Sequence, residues 1–293
     1  MTARYPGRVL RTKALRSSSL RLLNDRDLGD VLELCDRDPV VNVFVSSRVR
    51  EAGLDPVRLG GQMWGFLPGG KLTSACYAGA NLVPVAATEA AATAFAGRAR
   101  MQGRRCSSIV GPADAVRQMW RLLRPYWGEP REIRDSQPVM AISGPPLAAP
   151  DPRLRRVRPE ELDVLLPASV AMFTEEVGVS PLGPDGGAAY RARVAELIAL
   201  GRAFARIEDG RVMFKAEIGA VTPHACQVQG VWVRPDLRGR GLAVAGMAAV
   251  TAEALRSVAP VVSLYVNDFN APARAVYQKV GFTELATLAS VLF

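Results

Sequence analysis

The sequence predicts a mixed α/β fold in which one α/β unit occurs twice. Three observations support this: a proline-rich segment lies near the middle of the chain, the two halves begin with similar segments, and both contain the same hairpin pattern. The proline-rich segment is SGPPLAAPDPR, residues 143–153, where regular structure is excluded and the apolar periodicity stops. It predicts a linker between one domain over residues 1–145 and a second over residues 146–293.

Both halves begin alike. LRLLNDRDLGDVL from Leu20 and LRRVRPEELDVLL from Leu154 share a Leu-Arg pair, an acidic residue followed by leucine, and a closing apolar pair. Each predicts a short strand, a turn and an amphipathic helix. Further on, WGFLPGGKLTSACYAG and FARIEDGRVMFKAEIG each contain two strand-like runs joined by Gly-Gly or Asp-Gly, which favours a β-hairpin. The predicted order in each copy is strand, helices, hairpin, strand, helix, strand and helix.

Composition and charge narrow the classes of function. The chain has 293 residues, is 49% hydrophobic, and contains neither an apolar run as long as a membrane span nor the apolar core of a secretory signal, so we expect a cytoplasmic protein. Its net charge of +9 suits an anionic ligand, but without a basic tail or aromatic-basic interleaving we expect no nucleic-acid partner. Four scattered cysteines and the single histidine, His224, exclude a disulfide scaffold, structural zinc and Ser-His-Asp catalysis.

One basic turn in the second half is typical of an anion site. RPDLRGRG, residues 234–241, lies between the β-rich run ACQVQGVWV and the predicted helix LAVAGMAAVTAEALRSV. The first amides of a helix lack intrahelical partners, and the helix dipole favours negative charge there. Gly239 and Gly241 let the backbone approach a ligand closely, and three arginines add positive charge. The turn therefore suits a pyrophosphate, with a solvated basic turn as the alternative.

The pattern of this turn resembles a known family. Arg238, Gly241 and Ala243 match R/Q-x-x-G-x-G/A, the coenzyme A loop of the GNAT superfamily of N-acyltransferases, and VVSLYVNDFNAPARAVYQKVGFTEL resembles the next strand and helix of that family. The resemblance covers roughly residues 154–293. It implies that each copy is a twisted, mostly antiparallel mixed sheet flanked by helices. It also implies an N-acetyltransferase that transfers an acetyl group from acetyl-CoA to a primary amine by direct attack in a ternary complex.

The first half departs from this pattern at the coenzyme loop. NLVPVAATEAAATAFAGRA follows the corresponding position and contains no R-x-x-G-x-G/A. The first half thus resembles a degenerate GNAT copy that has lost its coenzyme pocket, an arrangement similar to that of mycothiol synthase-like proteins. We expect it to shape the acceptor site or to support the second copy.

The resemblance implies a set of coenzyme contacts in the second half. The pyrophosphate is expected on the amides of residues 238–243, and the pantetheine arm between the strands that end at Val233 and Val266. The implied coenzyme-binding residues are Val231, Val233, Arg238, Gly239, Arg240, Gly241, Leu242, Ala243, Asn267 and Asn270. Asn270 also suits the cap of the following helix.

The resemblance also implies a proton donor. Tyr277 is the expected donor to the coenzyme A thiolate, and core packing is the alternative role for its ring. The candidate base is Glu217, which shares a strand face with Lys215, so a surface ion pair is the alternative. A relay through His224 and a chain of water molecules both stay open as well.

The acceptor is the least specified part of the sequence. Glu175 and Glu176, in MFTEEVGVSPLGPDGGAAY, are expected to bind a cationic amine, or else are solvated charges at a helix end. The acceptor class (small amine, antibiotic, peptide or protein lysine), an acyl donor longer than acetyl, and the oligomeric state stay open. A non-catalytic acyl-CoA-binding regulator is the second function, and it has no need of Tyr277.

Overall fold

A computed structural model describes residues 19–183 and 186–293 of the chain. The strands in these ranges are β1 (Leu20–Leu22), β2 (Gly61–Phe66), β3 (Ser74–Gly79), β4 (Asn81–Val85), β5 (Ser108–Pro112), β6 (Glu132–Ile142), β7 (Arg155–Arg156), β8 (Ala203–Glu208), β9 (Arg211–Val221), β10 (Cys226–Val233), β11 (Val262–Tyr265) and β12 (Thr283–Leu292). The helices are α1 (Leu28–Asp36), α2 (Val43–Ala52), α3 (Pro56–Leu59), α4 (Glu89–Gln102), α5 (Ala113–Trp127), α6 (Leu162–Val177), α7 (Ala188–Ala199), α8 (Leu242–Ser257) and α9 (Ala271–Val280).

The two halves repeat one order of elements, which confirms the tandem α/β fold. Each has a short strand, helices, three successive strands, a helix, a strand, a helix and a final strand. The hairpin between β8 and β9 turns at Asp209 and Gly210, whose φ angles of 48° and 67° are those that an Asp-Gly turn allows. The predicted order was incomplete, because it stopped at the last helix and missed the final strands β6 and β12.

All twelve strands form one mixed sheet in the order β1-β2-β3-β4-β5-β12-β6-β11-β10-β9-β8-β7. Only the β4–β5 and β10–β11 pairs are parallel among the paired strands of the described chain. The final strand of each half lies beside the fifth strand of the other half, since β12 pairs with β5 and β6 pairs with β11. The two final strands also pair with each other at the centre of the sheet. The halves therefore exchange their last strands.

The exchanged strands contribute to both hydrophobic cores. Met140 and Ile142 of β6 are buried in the core that β9, β10, β11, α8 and α9 form in the second half. Ala289 and Val291 of β12 are buried in the core of the first half, against α4 and α5. Because each core needs a strand of the other half, burial of apolar surface links the folding of the two halves.

The predicted linker, residues 143–153, forms neither helix nor strand. It lies against the second half, because the amide of Leu147 donates to the carbonyl of Val280 (2.9 Å) and that of Asp151 to the carbonyl of Ala245 (3.0 Å). The placement of a domain boundary within it stays a prediction. No helix in the described ranges has the length and apolar character needed to cross a membrane.

Candidate active site

Two parallel strands of the second half separate where a ligand is expected. β10 and β11 are paired only at Cys226–Val262 and Gln227–Ser263, although β10 continues to Val233. The register of β10 against β9 shifts between Gln229 and Trp232, around Gly230, whose φ of +60° favours glycine. β11 is paired with β6 on its other side over its whole length, and this pairing continues past the end of β11, since the amide of Val266 donates to the carbonyl of Pro138 (3.1 Å). The carboxyl ends of β10 and β11 thus enclose an opening.

The basic turn ends at the N-terminus of α8, beside this opening. Gly239 and Gly241 have φ angles of +76° and +80°, and no atom lies within 4 Å of the position that a Cβ would take at either residue. Gly241 is the N-cap of α8 and supplies no side-chain cap. Within the described ranges, no acceptor takes a hydrogen bond from the amides of residues 239–243. This row of unpartnered amides can bind an anion.

The same place in the first half is closed. The side chain of Thr88 caps α4 by accepting from the amide of Ala91 (3.2 Å). Strands β4 and β5 stay close beyond their paired residues, because a Cβ on Gly111 would lie 3.1 Å from Cδ of Pro84. The first half therefore has a capped helix and adjacent strands where the second half has open amides and separated strands.

Arg238 connects the turn to α6. Its Nε donates to the carbonyl of Val233 (3.1 Å), and its guanidinium donates to the Glu175 carboxylate (2.7 Å). Glu175 also accepts from the indole of Trp232 (3.2 Å). The structure thus places Glu175, predicted for the acceptor, against the predicted coenzyme loop. Arg234 is paired with Asp236 at 2.7 Å.

Tyr277 combines a packed ring with an available hydroxyl. The residue is 7% exposed, and its ring lies 6.0 Å from that of Phe282, centroid to centroid. Its hydroxyl has no hydrogen-bond partner among the described residues. Burial raises the pKa of Tyr277, and the charge of Glu176 raises it further, so the phenol is protonated at neutral pH.

The two predicted asparagines have structural partners. Asn270 caps α9 by accepting from the amide of Ala273 (3.2 Å), as its sequence position predicts. Asn267, after the end of β11, accepts from the side-chain amide of Gln137 (2.9 Å), and the hydroxyl of Ser290 donates to Gln137 in turn (2.5 Å). Gln137 belongs to the exchanged strand β6, so the first half supports a predicted site residue of the second.

Glu217 is part of a buried polar group. Lys215 lies 3.4 Å from one carboxylate oxygen, and Gln229 donates to the other (3.3 Å). The side chains of Lys215 and Glu217 are 1% and 9% exposed, so the expected alternative of a surface ion pair is wrong: the ion pair is present but buried. A Cβ on Gly230 would lie 2.9 Å from the Glu217 carboxylate, which places that carboxylate at the bulge.

His224 lies apart from these residues. It occupies the turn between β9 and β10, is half-exposed, and its Nε2 lies 3.6 Å from the Asp36 carboxylate of α1. It therefore contacts the first half and is not grouped with Tyr277.

Glu176, in the last turn of α6, lies near several ionisable side chains. The residue is exposed, and its carboxylate has no ion-pair partner among the residues described. Surrounding protein atoms raise its pKa, while Arg134 and Lys215 oppose this and Glu217 adds to it. Burial raises the pKa of Tyr190, Tyr265 and Tyr277, and the charge of Glu176 raises each of them further.

The comparisons with known proteins agree with this geometry. Residues 188–282 match the family described as Acetyltransferase (GNAT) family. This match lies wholly within the second half, which we therefore refer to as the GNAT domain. Residues 61–165 match a domain of unknown function, DUF4081. No curated protein matches the chain in sequence.

Solved structures share the fold of the whole chain. A tandem GNAT protein from the clavulanic acid biosynthesis pathway is 15% identical, with a TM-score of 0.56 over 93% of this chain and 98% of that protein. A GCN5-related N-acetyltransferase from Sphaerobacter thermophilus is 17% identical, with a TM-score of 0.58 over 93% and 95%. A GNAT-family acetyltransferase from Colwellia psychrerythraea is 14% identical, with a TM-score of 0.54 over 94% and 99%. At these identities the likeness shows the tandem GNAT fold alone.

Among the predicted site residues of the second half, Tyr277 lies in the same hydrophobic core as Val266, and Val231 and Val233 pack against this core. The Glu217 carboxylate lies at the bulge of β10, and the charge of Glu176 acts on Tyr277. Sequence reasoning missed Arg134, Gln137, Tyr190 and Tyr265. Two of these, Arg134 and Gln137, lie on β6, far before residues 234–241 in the sequence, and no local motif marks them.

Proposed function

We propose that the chain is an N-acetyltransferase that uses acetyl-CoA and a primary amine, and that only its GNAT domain binds the coenzyme. The contrast between the halves carries this proposal. Open amides, two glycines with positive φ and separated strands occur together in the second half, whereas Thr88 and Pro84 close the same place in the first. A coenzyme pyrophosphate fits the open amides, which need an anionic partner.

The residues of the loop have separate roles in binding. The amides of residues 239–243 hold the pyrophosphate, and Arg238 and Arg240 add charge. Arg238 is held by Glu175 on one side, so its guanidinium is already oriented at the loop. Val231 and Val233 line the opening along β10, and Asn267 and Asn270 border it beyond β11.

Bound acetyl-CoA supplies the acyl thioester that the amine attacks, and the chain supplies positions and protons. Tyr277 donates a proton to the departing thiolate, because its phenol is neutral at physiological pH and its hydroxyl has no acceptor among the described residues. Its ring is fixed by packing, so the hydroxyl keeps its direction without a hydrogen bond to the protein.

Two carboxylates have roles towards the amine. Glu176 binds the incoming ammonium, because the residue is exposed and its carboxylate has no ion-pair partner in the described part of the chain. Glu217 accepts the amine proton, and Lys215 lies 3.4 Å from its carboxylate. Glu175 is tied to Arg238 and Trp232, so we assign it to the loop and not to the acceptor.

A product screen tests this function. The full chain is incubated with acetyl-CoA and with pools of small amines, amine antibiotics and lysine peptides, and products are sought by mass spectrometry as a gain of one acetyl group. The matched control is Gly241→Val, because a branched side chain is disfavoured at a φ of +80° and would project towards the pyrophosphate. An acetylated amine made only by the wild type supports the proposal. Acetyl-CoA binding without any product would indicate the non-catalytic regulator instead.

A further inference from the structure

Strand exchange places residues of the first half beside the acyl-transfer site. β6 lies between β12 and β11, with Val139 opposite Tyr265. Two of its side chains contact the second half. Gln137 donates to the side chain of Asn267, and Arg134 donates to the main-chain carbonyl of Glu176. β6 is therefore part of the site's wall, although it belongs to the first half by chain order.

The Arg134 side chain is held in a single arrangement. Its guanidinium forms two hydrogen bonds to the Glu132 carboxylate, at 2.8 and 3.0 Å, and the Arg134 side chain is only 9% exposed. A further N–H donates to the carbonyl oxygen of Glu176 (2.7 Å). This carbonyl lies in the last turn of α6, where unpartnered carbonyl groups give the helix end a negative charge. Arg134 therefore satisfies a helix-end carbonyl and opposes its charge.

Several elements present charged or titratable groups to the Glu176 carboxylate. They are Arg134 on β6, Lys215 and Glu217 on β9, Tyr190 on α7, Tyr265 on β11 and Tyr277 on α9. Lys215 and Glu217 neutralise each other as an ion pair, and Glu175, the neighbour on α6, is paired with Arg238. The tyrosines are neutral at physiological pH. Arg134 is itself paired with Glu132, and it is the cation whose guanidinium also donates to Glu176, at the main-chain carbonyl.

We propose that Arg134 is a positioning residue that holds the end of α6 at Glu176 and supplies a positive charge close to it, so that the first half completes the acceptor site of the GNAT domain. The acceptor role of Glu176 rests on the proposed function, whereas its control by Arg134 does not. The first half then acts through β6 and not through a coenzyme pocket of its own.

A pH titration of the full chain tests this control directly. Glutamate is labelled with ¹³C at the carboxyl carbon, and the Glu176 signal is identified by its loss in Glu176→Gln. Removing the Arg134 charge should raise the Glu176 pKa, because Arg134 stabilises the ionised carboxylate. We therefore expect a higher Glu176 pKa in Arg134→Gln, and a value close to the wild type in Arg134→Lys, which keeps the charge.

Arg117→Gln is the matched control. Arg117 also donates to a carbonyl of β6, that of Asp135 (2.8 Å). Its ion-pair partner, however, is Asp114 on α5. The Glu176 pKa should not change in this variant. If Arg134→Gln unfolds because Glu132 is left unpaired, the double variant Glu132→Gln/Arg134→Gln is compared with Glu132→Gln, because these two variants differ only in the Arg134 charge. An unchanged Glu176 pKa on loss of Arg134, or an equal change in Arg117→Gln, would overturn the proposal.

A second readout separates this proposal from the proposed function. Calorimetric titration with acetyl-CoA should give equal affinities for the wild type and Arg134→Gln, because Arg134 does not contact the coenzyme loop. The carboxyl titration needs no turnover. Failure of the wild type to bind acetyl-CoA would therefore contradict the proposed function while leaving the Arg134 result intact. An Arg134→Gln variant that lost acetyl-CoA affinity would show instead that Arg134 supports the whole site.

Discussion

Tyr277→Phe removes one oxygen atom from a side chain that is otherwise fully packed. The ring keeps its contact with Phe282 and its place in the core. Because the hydroxyl has no hydrogen-bond partner among the described residues, no such bond is lost. We expect the free energy of unfolding to change by about 0.5 kcal/mol or less, since a lost hydrogen bond would itself cost only about 1 kcal/mol.

The expected effect on turnover is far larger. Loss of a general acid slows a reaction by roughly a hundredfold or more, which corresponds to about 2.7 kcal/mol or more in the barrier. The rate is measured as coenzyme A release with the amine that the product screen identifies. Calorimetry should show the same acetyl-CoA affinity as the wild type, because the loop is unchanged. Turnover of Tyr277→Phe at the wild-type rate would refute the role of the hydroxyl and leave Tyr277 as a core residue.

Tyr77→Phe is a control that should lower stability and leave turnover unchanged. Tyr77 is buried in the first half, 2% exposed, and its hydroxyl donates to the carbonyl of Gly60 (3.2 Å). This change removes a hydrogen bond, so we expect it to lower stability by about 1 kcal/mol, or a few degrees in Tm, without altering turnover. A slower reaction in both variants would mean that packing, and not proton donation, explains the effect of Tyr277→Phe.

Three further predictions follow from the charges of the GNAT domain. Arg238→Ala should weaken acetyl-CoA binding about 10- to 100-fold in calorimetry. It should lower the free energy of unfolding by under about 1 kcal/mol, because the ion pair of Arg238 with Glu175 is half-exposed. Unchanged affinity would exclude Arg238 from the coenzyme site. The protein atoms packed around Glu176 raise its pKa although the residue is exposed, so its contribution to stability is complete at acid pH and is lost as pH rises through the raised pKa. Glu176→Gln should therefore melt above the wild type at pH 8 and with it near pH 4, and the opposite order would contradict the pKa shift. The hydrogen bond from Arg155 lowers the pKa of Glu161 to about 2, so the ionised Glu161 stabilises the fold above pH 4.5, and this contribution is lost between pH 4.5 and 2. Glu161→Gln should lower the free energy of unfolding by roughly 1–3 kcal/mol at pH 7 and by less at pH 3. An equal loss at both pH values would exclude an ionic cause.

Local features of the site could be predicted from the sequence. The Asp-Gly hairpin, the strand–turn–helix around residues 234–241 and the Asn270 cap all depend on residues a few positions apart. Backbone conformation and capping are decided over such distances, so short motifs are informative. The position of Gly239 and Gly241 in the left-handed region follows from the same local pattern.

The exchange of β6 and β12 could not be predicted in this way. An apolar run such as ELATLASVL shows that a segment can form a strand, but not which sheet edge it joins. In a tandem repeat, the fifth strands of the two copies offer similar neighbours to either final strand. The contact between Arg134 and Glu176 depends on this choice, and so does the bridge from Gln137 to Asn267. The ion pair between Glu175 and Arg238 could not be predicted either, because it depends on the tertiary packing that brings the end of α6 to the coenzyme loop.

Hydrogen–deuterium exchange with and without acetyl-CoA tests the central claim, that coenzyme binding belongs to the second half alone. The amides of residues 239–243 have no acceptor in the described chain and should exchange quickly in the free protein. Saturating acetyl-CoA should slow exchange in peptides that cover residues 234–246 and leave peptides that cover residues 83–95 unchanged. Slowed exchange at residues 83–95, or no change at residues 234–246, would contradict it.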